Sequence, residues 1–107
     1  LLGGKYREKI RVYANGWSYG MKEPDDYARA AEKVVKQGFT AMKFDPLPAP
    51  WRTWIPKEHE RRAVRVVKAI RDAVGPDVDL LIEQHRRLAP MHAIRLDQEL
   101  AKFDLYW

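Results

Sequence analysis

The feature that most constrains this chain is a regular alternation of short β-type segments with amphipathic helical stretches. Residues 10–15, 39–45, 78–85 and 104–107 read as strands. Their starts lie 29, 39 and 26 positions apart, near the roughly 30 residues of a strand–helix–strand crossover unit. Three helical patterns lie between them. The first spans 25–37, after Pro24, which suits a first helical turn. It opens on Asp25 and Asp26, which favour the positive helix start. Tyr27, Ala31, Val34 and Val35 form its apolar stripe, and Gly38 is expected to close it as a left-handed cap. The second spans 57–74, with Ala63, Val66, Val67, Ile70, Ala73 and Val74 on one face and Gly75-Pro76 as its stop. The third spans 91–102, with Ala93, Leu96, Leu100 and Phe103 turned inward.

Such alternation implies a parallel sheet covered by helices. An open doubly wound sheet and part of an eight-stranded barrel both satisfy it. Open nucleotide-binding folds place a Gly-rich turn after the first strand. Here that turn reads Asn15-Gly16-Trp17-Ser18-Tyr19-Gly20, which offers no phosphate cradle. The later segments end in ionisable residues, where barrel enzymes place their chemistry. The expected fold is therefore α/β: a partial (β/α)8 TIM barrel of about four parallel strands and three helices. Residues 1–107 would form the N-terminal half of the barrel domain.

Composition removes several functional classes. With no Cys, the chain has no disulfide scaffold, thiolate metal site or cysteine nucleophile. No unbroken apolar run exceeds three residues, as at Leu80-Leu81-Ile82. A membrane span needs about 20, so a soluble cytoplasmic protein without a membrane partner is expected. The net charge of +5 invites a nucleic-acid reading. However, Arg61, Arg62, Arg65, Lys68 and Arg71 are interleaved with Glu58, Glu60 and Asp72. On a helix this is a mixed solvent face rather than a phosphate-tracking surface, so no nucleic-acid partner is expected.

Strand alternation sorts the candidate site residues. Ala41, Lys43 and Asp45 share one face of the second segment, with Met42 and Phe44 opposite. Leu81, Glu83 and His85 share one face of the third, with Leu80, Ile82 and Gln84 opposite. The apolar sets suit a helix layer. Lys43, Asp45, Glu83 and His85 then converge on the other side, at the strand ends. Such a group is expensive to bury without partners. It is either an ion pair of Lys43 with Glu83 or Asp45, or a metal site with an acid/base group. His59 and His92 are expected at the surface. The proline-rich loop 46–56 carries Trp51, Arg52 and Trp54, and could line a pocket or a subunit contact. Arg52 or Arg87 could hold an acid's carboxylate.

Several stretches, taken in order, resemble an internal section of an enolase-superfamily enzyme of the mandelate-racemase-like subgroup, close to galactonate-type acid-sugar dehydratases. They are Leu1-Leu2-Gly3-Gly4-Lys5, Val12-Tyr13-Ala14-Asn15-Gly16-Trp17 and Gly38-Phe39-Thr40-Ala41-Met42-Lys43-Phe44-Asp45-Pro46. Asp79-Leu80-Leu81-Ile82-Glu83-Gln84-His85 and the closing Phe103-Asp104-Leu105-Tyr106-Trp107 complete the series.

The resemblance implies roles position by position. Glu83 matches the third-strand acid that binds Mg²⁺, where many relatives have Asp. His85 matches the histidine that protonates the departing hydroxyl. Lys43, Asp45, Asn15, Trp17 and Arg52 are the substrate-binding candidates. Racemases of the superfamily carry Lys-x-Lys on the second strand, whereas this chain reads Lys43-Phe44-Asp45, which argues against a second-strand lysine base. Arg86 stands where many relatives have Gly. The implied reaction is Mg²⁺-dependent dehydration of an aldonate-type sugar acid to a 2-keto-3-deoxy acid through an enediolate. The alternatives are a racemase or epimerase of the same superfamily, or a non-catalytic folding or assembly unit. The resemblance also implies a capping domain, further barrel strands, the remaining metal ligands and the general base, all outside this chain. An open sheet edge at Tyr106 and Trp107 predicts self-association, hence a homo-oligomer, or contact with the rest of a longer chain.

Overall fold

A computed structural model describes residues 3–48 and 54–107. Helix α1 spans Pro24–Lys36, strand β1 Ala41–Phe44, helix α2 Lys57–Val74, strand β2 Asp79–Ile82 and helix α3 Pro90–Leu100. A 3-10 turn, Ala101–Phe103, extends α3. Each helix lies within two residues of its sequence-predicted start. Pro24 occupies the first turn of α1, and the Glu23 N–H donates to Asp26 Oδ2 at 3.1 Å. Gly38 follows the α1 cap at φ +93° and donates its N–H to Val35 O at 2.9 Å. That backbone region costs an L-residue about 1–2 kcal/mol.

Strands β1 and β2 pair in parallel, with Ala41, Met42, Lys43 and Phe44 opposite Asp79, Leu80, Leu81 and Ile82. Met42, Phe44, Leu80 and Ile82 turn into one core with Tyr27, Ala31 and Val34 of α1 and Ala63, Val66, Val67 and Ile70 of α2. The alternation read from the sequence therefore holds through both strands. Arg71 of α2 pins the helix to the start of β2. Its guanidinium donates to the carbonyls of Gly75 (2.8 Å), Val78 (2.7 Å), Phe103 (3.0 Å) and Asp104 (2.9 Å).

The expected first and fourth strands are much reduced. Residues 10–15 contribute one parallel bridge, Ala14 to Met42, through the Ala14 N–H to Ala41 O and the Lys43 N–H to Ala14 O, both 2.9 Å. Before it, the contacts are made by a side chain: Arg11 donates to Thr40 O at 3.0 Å and pairs with Asp79 at 2.6 Å. At the far edge the Tyr106 N–H donates to Leu80 O (2.9 Å) and the Ile82 N–H to Trp107 O (2.8 Å). These two bonds do not step along β2 as a regular ladder does. Among the described residues the sheet thus has two strands with a backbone contact on either side, rather than four strands.

The α2–α3 interface corrects two expectations. His92 and Glu60, read as solvent-facing, are 4% and 9% exposed. His92 Nδ1 bonds Glu60 Oε1 at 2.7 Å, and the Arg95 guanidinium donates to the same oxygen. The stripes of the two helices carry the reason. Glu60 is in line with Ala63, Val67 and Ile70, and His92 with Leu96 and Leu100, so helical period buries both. Burial pushes the Glu60 carboxyl up, but the bonds from Arg95 and His92 outweigh it and hold the group below its ordinary value. By contrast, Arg61 and Arg65 pair with Glu58 at 3.1 and 2.7 Å, and Lys68 pairs with Asp72, as a mixed solvent face requires.

A carboxyl depressed in the folded state stabilises it above the unfolded pKa and loses that contribution as pH falls through the folded one. Stability should therefore decline below about pH 4.5, the ordinary Glu value. Glu60→Gln should remove part of that acid sensitivity and cost about 1–3 kcal/mol at neutral pH. Urea unfolding across this pH range measures both.

Candidate functional site

The C-terminal ends of β1 and β2 are level, because the Glu83 N–H donates to Phe44 O at 2.9 Å. The residues following each strand therefore emerge side by side. Glu83 Oε1 accepts the His85 backbone N–H at 2.9 Å, and Oε2 stands 3.5 Å from Lys43 Nζ. The His85 N–H lowers the Glu83 carboxyl most. Burial opposes it, and the charges of His85 and Lys43 add to the lowering. Lys43 Nζ also lies 5.5 Å from the Tyr13 ring centroid, a cation–π distance.

Asp45 gathers three donors. Its Oδ1 accepts the Leu47 N–H at 2.9 Å. Its Oδ2 takes His85 Nδ1 at 2.9 Å and also the Arg87 guanidinium. The Arg87 side chain is only 4% exposed. Its Nε donates to Gln84 O at 3.1 Å and another guanidinium nitrogen to Leu47 O at 3.3 Å. Burial lowers its pKa, yet a guanidinium remains charged.

Lys43, Asp45, Glu83 and His85 thus meet at one mouth, as two linked pairs. His85 arrives by a different route from the expected one. Strand β2 ends at Ile82, and His85 and Arg86 sit in a turn at φ +50° and +55°. Turn geometry, rather than strand alternation, brings the imidazole to Asp45. Trp17 adjoins the site from below: its indole N–H donates to Lys43 O at 3.0 Å, and its ring packs edge-on against Phe44 and Tyr27. Asn15 is exposed, one residue beyond the Ala14 bridge. Arg52 and Trp51 lie outside the described residues. Arg87, a candidate for gripping substrate, is instead committed to Asp45 and Leu47. A lone arginine in a loop carries no sequence signal for such a partner.

Glu83 presents a carboxylate oxygen of the kind a hard cation takes. Among the described residues no group of three His, Cys, Asp or Glu side chains is placed to hold a metal ion. The described residues therefore fit Mg²⁺ only as the source of one ligand. No helix among them is long and apolar enough to cross a membrane.

Comparison with known proteins identifies relatives of the chain. Residues 26–107 match the family model described as enolase C-terminal domain-like. The chain is 43% identical over its whole length to a D-gluconate dehydratase of Thermoproteus tenax and covers 21% of that protein. It is 41% identical to a D-gluconate/D-galactonate dehydratase of Picrophilus torridus, over 97% of the chain and 26% of the relative. The crystal structure of a member of the enolase superfamily from Salmonella Typhimurium superposes with a TM-score of 0.88 at 31% identity, over 97% of this chain and 31% of that one. The chain therefore spans about a fifth to a third of the length of the proteins it matches.

The left-handed turn beside the site gives a direct test. Arg86 has φ +55°, where glycine is unstrained. Arg86→Gly should raise stability by roughly 0.5–1 kcal/mol, the relief of strain less the extra chain entropy. Arg86→Val should lower it. Urea midpoints of the two variants give the order.

Proposed function

Because the chain belongs to the enolase C-terminal domain-like family, we propose that it works as the first half of a (β/α)8 barrel that dehydrates a sugar acid. The convergence of Glu83 and His85 with Lys43 and Asp45 at the C-terminal ends of adjacent parallel strands carries this reading. Barrel enzymes place their chemistry at that end. The sugar-acid dehydratases among the relatives name the reaction class.

In this reading the substrate is an aldonate-type acid and the product a 2-keto-3-deoxy acid. Glu83 is a ligand of Mg²⁺, with the other oxygen donors supplied from outside the described residues. When bound, the ion would supply positive charge that steadies the acid's carboxylate as a base from outside the described residues takes the proton of the adjoining carbon. His85 hands a proton from Nε2 to the departing β-hydroxyl, which leaves as water. Lys43 adds a second positive charge at the mouth, and Asn15, exposed just beyond the Ala14 bridge, stands in a loop that would help enclose the acid. The backbone contacts of Tyr106 and Trp107 with β2 are where the barrel sheet continues.

In the full-length enzyme, Glu83→Gln should weaken Mg²⁺ binding in calorimetric titration and abolish turnover. His85→Asn should leave that binding nearly intact and slow dehydration about 10²–10⁴-fold. Near-normal dehydration by His85→Asn would remove the histidine from the acid role. Exchange of the α-proton for deuterium without any water loss, in the unmodified enzyme, would favour a racemase or epimerase instead.

A further inference from the structure

We infer that Asp45 is a positioning residue that fixes the tautomer and the aim of the His85 imidazole, and that buried Arg87 and the Leu47 N–H hold Asp45 in place for it. The inference rests on the acid role given to His85 above and adds to it the device that makes the ring usable.

Three observations carry it. Asp45 Oδ2 meets His85 Nδ1 at 2.9 Å. A carboxylate only accepts, so Nδ1 carries a proton in both ring states; the imidazolium bears its second proton on Nε2, gives that one to the departing hydroxyl and is left as the neutral Nδ1–H tautomer. The ring needs such a partner because His85 sits in a left-handed turn, with 43% of its side chain exposed. Strand alternation therefore does not aim the ring, and a hydrogen bond at Nδ1 sets both its tautomer and its direction.

Asp45 is also far better held than substrate recognition requires. Oδ1 is occupied by the Leu47 N–H at 2.9 Å, and Oδ2 by both His85 and Arg87. Three protein donors thus take three of the roughly four acceptor sites of this carboxylate and fix its plane before a substrate arrives. Arg87 in turn is 4% exposed and tied to Gln84 O and Leu47 O. The sequence thus threads one support through the end of β1 and the turn after β2: Arg87 and Leu47 orient Asp45, and Asp45 orients His85.

The test uses the full-length enzyme and follows elimination and α-proton exchange separately. Asp45→Asn should cut kcat for dehydration about 10–100-fold, the usual loss when a supporting partner is removed, with KM within about threefold. Exchange of the substrate's α-proton into D2O should persist, as it should in His85→Asn, because the support serves only the leaving-group step. Combined with His85→Asn, the Asp45→Asn change should add almost nothing, as expected for two groups acting as one unit. If Asp45→Asn folds poorly because Arg87 is left unpaired, Asp45→Asn with Arg87→Met removes the buried charge as well, and should show the same split. Nitrogen-15 spectra of the unmodified enzyme provide a check without mutation: the neutral His85 ring should be protonated on Nδ1.

A large rise in KM with unchanged kcat would make Asp45 a substrate contact and overturn the inference. Equal loss of exchange and elimination would make the role structural, and an Nε2-protonated neutral ring would also overturn it. If His85→Asn itself dehydrates normally, the acid role has failed. If His85→Asn is crippled while Asp45→Asn is not, only the positioning role has failed.

Discussion

The arrangement at the site hangs on the in-register parallel pairing of β1 and β2. Parallel strands cannot be joined by a tight turn, so α2 must cross between them, and its stripe of Ala63, Val66, Val67 and Ile70 is buried in doing so. The same pairing brings the two strand ends level, through the bond from the Glu83 N–H to Phe44 O. A slip of β1 by one residue would turn Met42 and Phe44 away from the helices and drive Lys43 into the core. Register and site are therefore fixed by one set of bonds, and the burial of four apolar side chains enforces it.

The two faces of this small sheet obey different rules. Towards the helices, contact is apolar and continuous. Opposite, Lys43 faces Glu83, and Asp45 faces His85 and Arg87. Charges near a strand mouth persist because each has an opposite charge or a backbone donor within reach. The interface between α2 and α3 follows the same logic on the outside of the structure. There Glu60 serves two donors, His92 and Arg95, and the cluster ties α2 to α3. Arg71 does the equivalent at the other end of α2, with four carbonyls and no carboxylate.

Much of this was legible in the residues. Helical period and terminator chemistry located α1, α2 and α3, because Pro24, Gly38 and Gly75-Pro76 act on the local backbone whatever surrounds them. Strand alternation assigned the faces of β1 and β2, because a pleat has a fixed period of two. It also brought Lys43 and Glu83 to the same side. Glu60 and His92 extend the apolar stripes of α2 and α3 by helical period, but polarity alone assigns them to the surface, because the Glu60–His92 partnership runs between two helices.

Other features depended on the tertiary structure. Residues 10–15 and 104–107 have strand-like composition, but a strand exists only through repeated bonds to a neighbour. Among the described residues each of these segments makes one or two such contacts. His85 lies on the predicted side for a reason that alternation does not contain, a turn in which it and Arg86 take positive φ. Arg87 joins Asp45 across 42 positions of sequence. By itself, then, the sequence determined where helices start and stop, which strand faces are apolar, and which ionisable residues end the strands, since these follow from local period and backbone chemistry. Only the tertiary structure decided which charges pair, which histidine is buried and how His85 reaches Asp45, because those depend on distances between elements that no local pattern encodes.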